Sequence, residues 1–71
     1  MNLNQLIHML MAAQAQGATE VMVLRMDKEG NGVQSGVDWV AQKPVGDTAY
    51  MMLMQHADPA PNEALEAIDL A

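Results

Sequence analysis

The sequence contains no cysteine, which excludes a disulfide framework and a metal site built from thiolates. A chain of 71 residues forms one domain at most, and such a small domain usually needs an additional source of stability. Without disulfides, the available sources are a well-packed core, a bound ion or association with another chain. The absence of cysteine is also compatible with a reducing cytoplasm, which is the location we expect.

Basic residues are scarce as well, since Arg25, Lys28 and Lys43 are the only three. They are too scattered to form the positive surface that a phosphate backbone requires, so nucleic-acid binding is not expected. No apolar run approaches the ~20 residues that span a bilayer. No basic segment precedes the first apolar stretch as it does in a signal peptide, so neither membrane contact nor secretion is expected.

Phenylalanine is absent, whereas methionine occurs eight times. Methionine is flexible and polarizable, so a methionine-rich core packs adaptably and a methionine-rich surface accepts partners of different shapes. Both interpretations are open from composition alone.

The apolar residues change their spacing at Gly17. Before it they follow a helical stripe, which predicts a helix over residues 2–16. Asn2 and Gln5 are placed to form a capping box, and Gly17 is the expected left-handed residue after the last turn. Apart from His8, nothing on this helix is ionisable, so its outer face either packs against something or is a soluble surface of amides. The stripe consists of Leu3, Leu6, Ile7, Leu10 and Ala13.

After Gly17, strands are predicted at residues 20–27, 36–42 and 48–55, with Pro44 and Gly46 in the turn between the last two. Each strand is strongly apolar, and the first and third are apolar on both faces. The predicted fold is α+β, an N-terminal helix packed on a three-stranded antiparallel β-meander. One helix cannot cover both faces of this sheet.

Residues 1–56 are predicted to form the domain and residues 57–71 an acidic tail. Pro59 and Pro61 favour an extended linker, and Asn62 is placed to cap a short helix. If this helix docks, it covers the second sheet face; if it frays, that face is open to another chain. The tail carries most of the net charge of −6, through Asp58, Glu63, Glu66 and Asp69.

A twelve-residue segment from Asp27 to Asp38 resembles the calcium loop of EF-hand proteins, with glycine at the sixth position, Gly32. The resemblance implies calcium ligands at Asp27, Glu29, Asn31, Ser35 and Asp38, with the carbonyl of Val33. A strand-like segment precedes the loop, and Pro44 soon follows it, where the family has helices. These departures favour a solvated hairpin loop, and calcium binding is an alternative.

The chain shows no pattern typical of an enzyme. It has no serine, histidine and acid arrangement, and its glycines do not form a phosphate-binding loop. His8 and His56 are isolated, and Met51 points away from Met52 and Met54 if the segment is a strand. No catalytic activity, cofactor or metal is therefore expected.

The order of helix, glycine, strand and turn-rich return through Trp39 and Tyr50 resembles small bacteriophage and prophage accessory proteins. This resemblance covers residues 2–55 and implies a protein that acts in the host cytoplasm, in some cases as an inhibitor of a host factor.

The predicted function is a non-enzymatic protein-interaction module that forms a homo-oligomer or binds a protein partner. The alternatives are a small calcium-binding protein and an acidic mimic of nucleic acid. The predicted contact residues are Met22, Leu24, Met26, Trp39, Tyr50, Met52 and Met54.

Overall fold

A computed structural model describes residues 1–69 of the chain. The elements are α1 (Leu3–Ala15), β1 (Met22–Met26), β2 (Gly32–Val40), β3 (Met51–Leu53), β4 (Asp58–Pro59) and α2 (Asn62–Ala67). The strands form one antiparallel sheet in the order β1-β2-β3, and the short strand β4 also pairs with β2. The predicted α+β class, with its N-terminal helix, is confirmed. The last two residues of the predicted tail, 70 and 71, lie outside the described residues.

Helix α1 is closed at both ends by local signals. The Gln5 amide donates to Asn2 Oδ1 at 2.8 Å and the Asn2 amide donates to Gln5 Oε1 at 3.2 Å, so the predicted capping box is present. At the other end, Gly17 has φ +107°, and the Ala18 amide donates to the Ala13 carbonyl at 3.1 Å. This is a Schellman ending, which glycine permits because it has no β-carbon.

Strands β1 and β2 form a hairpin whose loop is organised by Asp27. Its Oδ1 accepts from the amides of Glu29 at 3.0 Å and Asn31 at 2.8 Å, while its own amide donates to the Asn31 carbonyl. Gly30 has φ +82° and so supplies the left-handed residue of a three-residue turn. Because these bonds begin pairing directly after the loop, β2 starts at Gly32, earlier than the residue 36 that the sequence predicted.

The second edge of β2 is occupied by the returning chain. Strand β3 pairs with residues 37–40, and β4 pairs with Val33 and Gln34. The amides of Met54 and Ala60 donate to the carbonyls of Gly36 and Gly32, which continues this edge from one strand to the other. The sequence predicted a linker here, since Pro59 cannot donate a ladder hydrogen bond and is tolerated only at an edge.

Helix α2 lies against the sheet at Gly32. A β-carbon built on this glycine would lie only 2.7 Å from Leu65 Cδ2, so the Leu65 side chain rests on the bare backbone. The residue that caps α2 is Pro61, which makes no side-chain hydrogen bond, and Asn62 is the first helical residue. The prediction that Asn62 caps this helix is therefore wrong, because the chain enters the helix one residue earlier.

The packed interior is very small. Across residues 1–69 no hydrophobic side chain is buried, and Ser35 in the middle of β2 is the one buried residue. The radius of gyration is 13.5 Å, whereas a compact domain of this length has about 11 Å. The elements therefore form a thin, open arrangement in which most apolar side chains face solvent.

Candidate interaction surface

Alternation along β1 and β2 divides the sheet into two faces. Met22, Leu24 and Met26 are paired with Gly36, Gln34 and Gly32, so all six project from one face. We call this the methionine face, and the opposite side, which includes Val23, Val33, Ser35 and Val37, the valine face. The Sδ atom of Met54 is 3.1 Å from the position that a β-carbon would occupy on Gly36, so Met54 also lies on the methionine face.

A β-bulge in β2 brings two more of the predicted contact residues to the methionine face. The register runs from Val37↔Leu53 directly to Trp39↔Met52, so one extra residue is inserted at Asp38. Because of the extra residue, Trp39 projects from the methionine face together with its partner Met52. The next pair, Val40↔Met51, projects from the valine face. The Ala41 amide donates to the Tyr50 carbonyl beyond the last strand pair, and Tyr50 lines both the pocket at Trp39 and a cleft beside α1. Six of the seven predicted contact residues therefore share one face, and Tyr50 lies at its end.

The methionine face is open to solvent over most of its extent. Trp39 is 67% exposed, Met52 64% and Met54 52%, while Leu24 is half-buried. Helix α2 covers only the end of the face at Gly32, through Leu65. Tryptophan, tyrosine and methionine are the residue types enriched at the centres of protein interfaces, and this face carries all three.

Helix α1 lies on the other side of the sheet, at the end of the valine face. Leu3, Leu6 and Leu10 line a cleft of about 620 Å³ together with Val40 and Met51. Only Leu6 among the helix residues is half-buried, and the others are exposed. The sequence did not mark Val40 and Met51 as site residues, and the one signal for this cleft was the absence of charge on α1.

The total exposed surface is 6207 Å². A folded monomer of 7.7 kDa exposes about 4,300 Å², so this chain leaves an excess of about 1,900 Å². A standard protein interface buries about 800 Å² on each partner. All eight methionines contribute to the excess, because each of them is exposed.

The loop that resembles an EF-hand has a different geometry. Only Asp27, Glu29 and Asn31 belong to the turn, whereas Ser35 is buried in β2 and Asp38 lies at the bulge. A strand rises about 3.3 Å per residue, so Ser35 is about 13 Å and Asp38 about 23 Å along the chain from Asn31. The five implied ligands do not surround one point.

The histidines are in exposed positions. His56 Nε2 lies 2.8 Å from Asp58 Oδ1, and this pair is on the surface beside β4. His8 lies on the outer side of α1. Within residues 1–69, no three His, Asp or Glu side chains form a group that suits a metal ion.

Comparisons of this chain with protein-family models, curated proteins and solved structures gave no match. The resemblance to phage accessory proteins and the cytoplasmic location therefore stay predictions. Neither α1 nor α2 has the length and hydrophobicity needed to cross a membrane, and this finding covers the described residues.

Proposed function

We propose that this chain is a non-enzymatic protein-interaction module that self-associates through the methionine face. The observation that carries the proposal is the exposed area, which exceeds that of a typical folded monomer of this mass by about 1,900 Å². An isolated chain with no buried apolar side chain in residues 1–69 gains little from the hydrophobic effect. Association supplies the burial that the single chain lacks.

The composition of the methionine face supports a protein as its partner. Trp39 and Tyr50 are large, stiff side chains that bury much area at a low entropy cost, and they are adjacent to Met52. Farther along the same face, Met54, Met22 and Met26 supply flexible side chains that adjust to the shape of the partner. The face therefore has an aromatic end and a methionine-rich stretch that runs from it toward the hairpin loop.

Neighbouring residues on β3 provide a matched pair for the test. Met52 projects from the methionine face and Met51 from the valine face, and both are exposed. A buried, unpaired carboxylate costs several kcal/mol, so Met52→Asp weakens association by at least ~100-fold. Met51→Asp has a smaller effect. Sedimentation and light scattering of both variants and the unmodified protein give the solution masses.

The outcomes separate three cases. A reduced mass for Met52→Asp alone supports the proposal. A reduced mass for Met51→Asp alone would indicate that the chains associate through the valine face and α1 instead. If neither substitution changes the mass, and Met22→Asp and Val23→Asp do not change it either, the proposal of self-association through the sheet faces is wrong.

A further inference from the structure

The outer edge of β1 presents unpaired backbone groups. Strand β1 has β2 as its one strand partner within residues 1–69. In an antiparallel pair, alternate residues direct their N–H and C=O groups toward the partner and the others direct them outward. The Asp27 amide donates a hydrogen bond to the Asn31 carbonyl across the hairpin. Every second residue before it, Arg25 and then Val23, therefore directs its backbone groups toward β2. The backbone groups of Met22, Leu24 and Met26 therefore point outward.

The neighbouring strand agrees with this assignment. The carbonyls of Gly32 and Gly36, which face Met26 and Met22, accept bonds from Ala60 and Met54 on the far edge of β2. In the pairs Met22↔Gly36 and Met26↔Gly32, the backbone groups of the two residues thus point away from each other. The carbonyls of Gly36 and Gly32 are hydrogen-bonded to Met54 and Ala60, whereas Met22 and Met26 face no strand on their outer side within residues 1–69.

Arg25 is the one residue of β1 that opposes pairing of this edge with another strand. Natural edge strands carry proline, charged side chains, bulges or very short lengths, which prevent pairing with a second chain. Strand β1 is five residues long, MVLRM, and pairs with β2 without a register shift. The other free edges are weaker templates, because β3 has three residues and β4 contains Pro59.

We infer that a second copy of this chain pairs with the outer edge of β1, antiparallel and in the register that sets Leu24 opposite Leu24 of the second copy. This inference rests on the proposed self-association and names one of its contacts. The arrangement has two-fold symmetry, as most homodimers do, and it joins the two sheets into one. Directly opposite residues project to the same side, so the two methionine faces become continuous.

The register follows from hydrogen bonding and charge. With Leu24 opposite its counterpart, Met22 faces Met26 of the second copy, and every outward group of the strand is paired. If the contact were centred on Arg25 instead of Leu24, Arg25 would lie opposite Arg25 of the second copy, and like charges directly opposite each other are destabilising. If it were centred on Val23, Met26 would have no strand residue opposite it. In the register centred on Leu24, Arg25 faces Val23.

Charge beyond the strand ends supports the same register. Glu20 precedes β1 and Lys28 follows it. When Leu24 lies opposite Leu24, Glu20 comes to the end of the contact at which Lys28 of the second copy begins its hairpin turn, and the same holds at the other end. The neighbouring registers do not align these opposite charges. The second copy is therefore the occupant that fits both the open edge and the excess exposed area.

Single cysteines test this contact cleanly, because the chain has none of its own. The two Leu24 Cα atoms would be about 5.5 Å apart, within the range of about 4.4–6.8 Å that a disulfide spans. Two Met22 residues would be about 14 Å apart along the strands. Under mild oxidation, Leu24→Cys forms a covalent dimer, while Met22→Cys and Met26→Cys each stay uncrosslinked alone and crosslink when mixed.

Amide hydrogen exchange of the unmodified chain is the second measurement. The Val23 and Arg25 amides bond to β2 and are protected in one chain or two, whereas the Leu24 amide is protected only by the second copy. We expect Leu24 to exchange as slowly as Val23 at high concentration and much faster after dilution. The inference is overturned if Leu24 exchanges fast in a sample whose mass is dimeric and Leu24→Cys does not crosslink.

The two proposals fail in different ways. Met52 lies on β3, away from the β1 edge, so Met52→Asp tests the methionine face while the Leu24→Cys disulfide tests the edge. A dimeric mass without the disulfide or slow exchange removes the edge contact and leaves the face proposal standing. A monomeric mass at every concentration removes both.

Discussion

The side chain of Leu65 lies directly on the backbone of Gly32, with its Cδ2 and Cδ1 atoms 2.7 and 2.9 Å from the position that a β-carbon would occupy. This contact joins α2 to the sheet, because β2 has no side chain at that point. Gly32 is paired with Met26, so α2 covers one end of the methionine face. The acidic tail is thus attached to the domain through Leu65 and through the pairing of β4 with β2.

The first prediction concerns this contact. Gly32→Ala puts a methyl group within the Leu65 side chain, so α2 is displaced and the free energy of unfolding falls by about 1 kcal/mol. Faster amide exchange over residues 62–67 should accompany the loss. Gly36→Ala is the matched control, since its β-carbon would meet only the flexible Met54 side chain at 3.1 Å.

Combining Gly32→Ala with Leu65→Ala completes a double-mutant cycle. Because the smaller side chain makes room for the added methyl group, the two losses in the free energy of unfolding should not be additive. Additive losses, or a Gly32→Ala variant as stable as Gly36→Ala, would contradict the contact.

The second prediction uses Trp39, the only tryptophan, which is 67% exposed in the single chain. If the methionine face is the contact surface, association transfers this indole from water to an apolar environment. Its fluorescence emission should then shift to shorter wavelength as protein concentration rises, and Met52→Asp should abolish the shift. Emission that does not change across the concentration range of association would exclude Trp39 from the interface.

The third prediction concerns the capping box of α1. Helices of ~12–15 residues are marginal without tertiary contacts, and α1 has 13 residues, most of them exposed. Asn2→Ala removes the acceptor for the Gln5 amide and should cost about 1 kcal/mol, visible as a loss of helical signal in far-ultraviolet circular dichroism. Asn2→Ser retains an acceptor and serves as the control. Equal helical content in the two variants would show that α1 does not depend on its cap.

The fourth prediction concerns the hairpin loop. Asp27 Oδ1 accepts two backbone amides, so Asp27→Ala should lower the free energy of unfolding by about 1–2 kcal/mol, and Asp27→Asn by less. Urea unfolding measures both variants against the unmodified chain. Equal stability of Asp27→Ala and the unmodified chain would mean that these bonds contribute little.

The same loop is the site of the calcium alternative. Because Ser35 and Asp38 lie along β2 rather than around the turn, calorimetry should show no saturable heat at ~1 mM calcium, where weak extracellular calcium modules bind. Saturable heat that disappears in Asp27→Ala would instead support the calcium-binding function.

Residue patterns predicted α1 almost to its ends, because its signals are local. Asn2, Gln5 and Gly17 act within a few residues of the helix they limit, and their geometry is as expected. The strands were predicted less well. Gly32 and Ser35 are poor strand formers, yet they belong to β2, since pairing with β1 and β4 overrides intrinsic preference.

Six of the seven predicted contact residues share one face for a reason that no pattern revealed. Strict alternation from Val37 to Trp39 would have placed both on the valine face, and only the bulge at Asp38 moves Trp39 to the side of Met22. The open edge of β1 was equally hidden, because it depends on which residues of the hairpin bond across it. A bulge and a hydrogen-bonding phase are properties of two paired strands.

By itself, the sequence determined the α+β class, the extent and caps of α1, the turn at Gly46 and the surplus of apolar surface that one helix cannot cover. These follow from interactions between residues close in the chain, or from composition. The tertiary structure alone decided that α1 and α2 lie on opposite sides of the sheet, that Leu65 rests on Gly32 and that the methionine face and the β1 edge are free. These depend on pairing between distant residues, which the periodicity of a single segment does not encode.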